Sequence, residues 1–95
     1  MAAYLIARID VTDTARYEEY KELAQAAVRA HGGSYVVRGG NHETLEGELE
    51  DRRIVVLEFT DMAAARAFYD SPEYAAAKAR REGAATGQFV LVDGT

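Results

Sequence analysis

Hydrophobic and polar residues alternate from Ala2 to Asp10, with Tyr4, Ile6 and Arg8 on one side and Ala3, Leu5, Ala7 and Ile9 on the other, which predicts a first strand. The period then lengthens. From Thr14 to His31 the residues Tyr17, Tyr20, Leu23, Ala24, Ala27 and Val28 recur at helical spacing behind Asp13, a good N-cap, while Glu18, Glu19, Glu22 and Arg29 take the opposite side. Gly32-Gly33 ends that helix. Ser34–Arg38 predicts a second strand, Gly39–His42 a turn or bulge, Thr44–Glu46 a continuation of the same ribbon and Gly47–Asp51 a hairpin loop.

Arg53–Phe59 is the clearest strand in the chain, rich in β-branched residues and apolar on both sides, as a central strand requires. Thr60 or Asp61 caps a short helix with Ala65, Phe68 and Tyr69 inward; it stops at Ser71-Pro72, where Ser71 as N-cap and Pro72 at the next position start a new helical segment carrying Tyr74, Ala77, Lys78 and Arg81 on one side. Gly83–Gly87 breaks this segment, and Gln88–Asp93 is the last strand. The order β-α-β-β-α-β, with right-handed crossovers around a hairpin, predicts an α+β, ferredoxin-like protomer: a four-stranded antiparallel sheet of order 4-1-3-2 with its helices on one face.

If the helices cover one face, Leu5, Ala7, Ile9, Val55, Leu57 and Phe59 point toward them and Tyr4, Ile6, Arg8, Ile54, Val56 and Glu58 are left on the other. That second face is too apolar for water, so a second copy of the chain is expected to cover it. Length agrees: 95 residues fit one domain, residues 1–95. A lone domain of this size buries only about 60 to 65% of its unfolded surface and gains from pairing. A net charge of −5 disfavours nucleic acid and anionic membranes as partners, and the absence of cysteine excludes disulfides, thiolate nucleophiles and cysteine-ligated zinc. With no signal-like or membrane-spanning run at the N-terminus, a cytoplasmic location is expected.

Asp13 and Tyr17, His31-Gly32-Gly33, Arg38-Gly39-Gly40, Leu57-Glu58-Phe59 and the run Tyr69-Asp70-Ser71-Pro72-Glu73-Tyr74 together resemble the domain-of-unknown-function family 1330, of the dimeric α/β-barrel superfamily. The resemblance spans essentially the whole chain; Thr14 stands where many members carry proline. It implies a ferredoxin-like protomer whose sheet packs on that of its mate, and no established activity. Superfamily relatives include cofactor-free quinone-forming monooxygenases, haem-degrading enzymes, lactone isomerases and plain binding modules.

Chemistry falls on few residues. Arg8 and Glu58 share a face of neighbouring strands, which suggests a cross-strand ion pair in the dimer interface, either structural or acting as a catalytic pair with Glu58 as acid or base. Arg38, ahead of two glycines, is a candidate to bind an anion, or else a solvated arginine at a bulge. Tyr4, Tyr69 and Tyr74 are candidate ligand-binding residues, the last two flanking the break between helical segments, with core packing as the alternative. His31 is expected to cap the first helix through its ring and His42 to be exposed; no metal site or cofactor is expected, and no residue identifies a haem ligand. Ser71 lacks a nucleophile's setting, and no nucleotide or calcium motif is present. The expected function is therefore open between an enzyme acting on a small carboxylate or phenol, by proton transfer or cofactor-free oxygen chemistry, and a non-catalytic dimer that binds a small ligand or serves as an accessory.

Overall fold

In the computed structural model, which describes residues 1–95, the elements follow in the order β1 (Ala3–Val11), α1 (Thr14–Ala30), β2 (Ser34–Arg38), β3 (Arg53–Phe59), α2 (Met62–Tyr69), α3 (Pro72–Arg81) and β4 (Ala85–Asp93). The sheet order is β2-β3-β1-β4, all antiparallel, so the expected ferredoxin-like protomer is present. β1 is central: it pairs with β3 from Ala3↔Phe59 to Ile9↔Arg53, and with β4 from Ala3↔Asp93 to Val11↔Ala85.

Each helix starts where a side-chain oxygen accepts a backbone N–H left free at its first turn. Asp13 accepts from Arg16 N, Asp61 from Ala64 N and Ser71 from Tyr74 N. Ser71 is buried, and its hydroxyl also donates to Phe68 O at 2.7 Å, so one side chain closes α2 and opens α3. α1 ends at Gly32, which takes the left-handed conformation with φ 72°, and Gly33 N donates to Val28 O. Gly33 is required for space: a Cβ there would sit 2.5 Å from the Phe59 ring. The sequence HGG thus joins a helix stop to a point where backbone presses on the core.

One hydrophobic core fills the space between the sheet and the helices, built from Ala3, Leu5, Ala7 and Ile9 of β1, alternate residues of β3, and the buried sides of α1, α2 and α3. Phe68 stacks between Phe59 (centroids 5.1 Å apart) and Tyr74 (4.7 Å).

Four expectations are corrected. Thr44–Glu46 does not continue the ribbon, because residues 39–52 form one irregular loop tied by Glu50 N to the Thr44 hydroxyl and by His42 to Glu50 O, both 2.8 Å. β4 begins at Ala85 rather than Gln88, since β1 extends to Val11 and supplies pairing partners for Ala85, Thr86 and Gly87. Leu23, assigned inward by spacing, is 36% exposed. The His31 ring does not reach the α1 carbonyls; it bonds Glu73 at 2.8 Å and so links the end of α1 to the start of α3.

Candidate ligand cavity and its cations

The two faces of the sheet carry different chemistry. On the open face, one apolar row runs across all four strands through Val37, Val56, Ile6 and Val90, paired in that order. Beside it, Tyr4 lies between Glu58 and Val92, and Arg8 between Ile54 and Gln88. Arg8 and Glu58 therefore share the face, as alternation requires, but do not pair. Tyr4, not Arg8, stands opposite Glu58, and four residues of strand separate the two charges by about 13 Å. Arg8 instead donates to Gln88 Oε1 at 2.9 Å and lies 3.4 Å from Glu50, which also takes Arg52 Nε at 2.9 Å. Hydrogen bonding from Arg52, with Arg8 adding charge, holds Glu50 down at about 2.

Between the sheet and α1 lies an apolar cavity. Of its sixteen lining residues thirteen are hydrophobic, and the other three are Lys21, Arg38 and Arg53. Its volume is ≈ 30 Å³. No carboxylate and no imidazole lines it.

Two local features deliver the strand cations to this side. In β2 an irregularity between Tyr35 and Val37 inserts one extra residue: Tyr35 stands opposite Leu57, but Val37 stands opposite Val56 and Arg38 opposite Val55. Tyr35 and Arg38 consequently share the helix-facing side, which uninterrupted alternation would forbid. Arg53 needs no such device, because it precedes Val55, Leu57 and Phe59 at even spacing and faces inward with them.

The three cations differ in their partners. Lys21 is paired with Glu18 at 3.0 Å. Arg38 donates to Gln25 Oε1 at 3.1 Å and lies over the Tyr35 ring at 4.4 Å. Arg53 has no acidic partner; its guanidinium carbon is 5.9 Å from the centre of the Tyr17 ring, and its buried Nε has no acceptor in the protein. Its head lies against Gly39, whose φ of 68° favours glycine and where a Cβ would push the flexible end of Arg53 aside.

Tyrosines close the cavity. Tyr20 and Tyr74 share a hydroxyl–hydroxyl hydrogen bond of 2.8 Å, and burial raises the phenol pKa of both. Burial likewise raises Tyr17 and Tyr35, with Arg53 and Arg38 respectively opposing the shift most strongly by charge. These phenols stay protonated at neutral pH and act as hydrogen-bonding groups, not as bases.

Of the residues singled out in the sequence, Arg38 and Tyr74 line this cavity. Arg8, Tyr4 and Glu58 occupy the opposite face of the sheet. Tyr69 sits at a polar groove beside α3, where Lys78 Nζ donates to its hydroxyl at 3.3 Å. Arg53, Tyr17, Tyr20 and Tyr35 also line the cavity and are not among the candidates the sequence offers. For Arg53 the signal was present, an arginine in phase with three inward hydrophobics. No cluster of three His, Asp or Glu residues is placed to hold a metal ion, and no helix is long and apolar enough to cross a membrane.

Solved structures share this architecture. A protein of unknown function from Rhodopseudomonas palustris superposes with a TM-score of 0.78 at 17% identity, over 99% of this chain and 82% of that one. SnoaB, a cofactor-independent oxygenase from Streptomyces nogalater, gives 0.65 at 18% identity over 99% and 93%. A dimeric ferredoxin-like protein of unknown function from Thermobifida fusca gives 0.65 at 19% identity over 99% and 92%. At these identities the likeness establishes the fold. No curated protein matches the sequence. The family model for the domain of unknown function DUF1330 matches residues 2–95, in agreement with the resemblance carried by the glycine pairs and the Tyr69–Tyr74 run, and the chain belongs to that family.

Proposed function

We propose that the chain is a homodimer that binds a small anionic or phenolic molecule in the cavity between α1 and the sheet. The observation that carries this reading is the lining itself: an apolar, tyrosine-closed space whose only charged residues are three cations, in a protein of net charge −5. A cationic focus with no acid in the lining attracts an anion strongly, because apolar walls weaken solvent screening.

The homodimer rests on the open face. Its middle row is apolar across four strands, Val90 and Val92 are 44% and 42% exposed, and the nearby loop leaves Leu45 and Leu49 almost fully exposed. An apolar surface of this kind on a 95-residue chain supports an interface, and the Thermobifida fusca protein of the same fold is described as dimeric.

The lining favours binding over proton-transfer catalysis by side chains. A general base must reach the proton it removes, and the lining offers no carboxylate, no imidazole and only phenols with raised pKa values. Glu58, the acid or base expected from the sequence, faces away from the cavity.

Thermal-shift titration with small carboxylates and phenols, alongside light scattering coupled to size exclusion, tests both parts. A ligand-dependent stabilisation and a mass of two chains are expected. A monomer at micromolar concentration removes the dimer, and no shift with any compound removes the ligand reading.

A further inference from the structure

We infer that Arg53 is the anchor that selects the ligand, and that the ligand class is a compact monocarboxylate, its carboxylate on the Arg53 guanidinium and its short apolar end among the tyrosines. The inference rests on the ligand reading above and narrows it from anions and phenols to one class.

Arg53 is distinguished from the other cations by what it lacks. Lys21 has Glu18 and Arg38 has Gln25, whereas Arg53 has only the neutral Tyr17 beside it, no acid, and a buried Nε that no protein acceptor meets. A buried donor without an acceptor costs stability, and a ligand oxygen reaching this guanidinium from the cavity would offset that cost. A carboxylate is the acceptor that fits a guanidinium: two oxygens match two parallel N–H donors, whereas a phenolate offers one. Arg81 also has a buried Nε without an acceptor, but its guanidinium lies 4.4 Å over the Phe89 ring and is not part of the cavity lining.

Two further observations set the pose and the size. The Arg53 head lies against Gly39, and the irregularity in β2 brings Arg38 to the same side as a second donor. The cavity is small, ≈ 30 Å³, and partly open, so the apolar end is short and the carboxylate lies at the mouth.

The test is isothermal titration calorimetry of the full chain with acetate, butyrate, benzoate, 1-naphthoate and phenol, on wild type, Arg53→Met, Arg53→Lys and Arg38→Met. Butyrate should bind wild type more tightly than 1-naphthoate or phenol. Arg53→Met should weaken butyrate by about tenfold or more, the loss of a charge-assisted hydrogen bond, and Arg53→Lys should recover little of it. Arg38→Met should weaken it less than Arg53→Met does. Since Arg53→Met removes a partly buried side chain, the wild-type Nε–H resonance of Arg53 followed by NMR during butyrate titration serves as a second readout and should shift with saturation.

Unchanged butyrate affinity in a folded Arg53→Met variant, or an unmoved Nε–H signal at saturation, overturns the inference while leaving the cavity as a binding site. Phenol binding without carboxylate binding does the same. Failure of every compound to bind wild type removes the ligand reading itself.

Discussion

The two faces of the sheet carry arginines in opposite circumstances. On the open face Arg8 is bonded to Gln88 and paired with Glu50, which it shares with Arg52, so this arginine has its counter-charge from the chain. On the helix face Arg53 lies against the neutral Tyr17 and has no acid beside it. The contrast shows that an arginine on an apolar strand is not by itself a site. What separates a structural charge from one available to a ligand is whether the chain supplies its counter-charge.

The largest effects should come from the helix face, where packing is dense. Phe68→Ala removes a fully buried ring stacked between Phe59 and Tyr74 and should cost about 3–5 kcal/mol in denaturant unfolding. Val56→Lys on the open face should leave the protomer folded but shift the dimer toward monomer in light scattering, because it places an unpaired charge in the centre of the apolar row. A dimer unaffected by this change would show that the open sheet face is not the interface.

Next in size is Tyr20→Phe. It leaves the buried Tyr74 hydroxyl without its 2.8 Å partner and should cost about 1–3 kcal/mol. Ser71→Ala should cost about 0.5–2 kcal/mol, since Ser71 caps α3. A loss of ligand binding at unchanged stability would instead give Ser71 a functional role.

The smallest effects are in pH. Phenols with raised pKa values are protonated in the folded chain where the unfolded chain has begun to ionise. Their stabilisation is complete below the ordinary value of 10 and is lost as pH rises through the folded values. Glu50 has the opposite sign. Its stabilisation is present above 4.5 and is lost as pH falls toward about 2, so Glu50→Gln should flatten the acid limb of a stability-against-pH curve and leave the alkaline limb unchanged.

The fold was legible because it is written in local periods: alternation in β1 and β3, helical spacing after Asp13, and the Ser71-Pro72 start of α3 all match. Less of the candidate site could be seen. The extra residue in β2 leaves no composition signal, yet it decides which side Arg38 faces. The position of Glu50 depends on how residues 39–52 fold back on the sheet, and no periodicity encodes that, so alternation alone points to Glu58 as the partner of Arg8. Strand register separates them: residues on one face of adjacent strands meet when they stand opposite or one diagonal step apart, and Glu58 lies four residues from Ile54, which stands opposite Arg8.

The claim that the helix face holds the ligand is tested most directly by mapping amide chemical-shift changes in a ¹H–¹⁵N spectrum as butyrate is titrated into the wild-type protein. Saturable shifts concentrated at Tyr17, Lys21, Tyr35, Arg38 and Arg53, with Arg8, His42 and Glu50 unmoved, are the expected result. Shifts centred instead on Arg8, His42 and Glu50 would place binding on the open face and contradict the account.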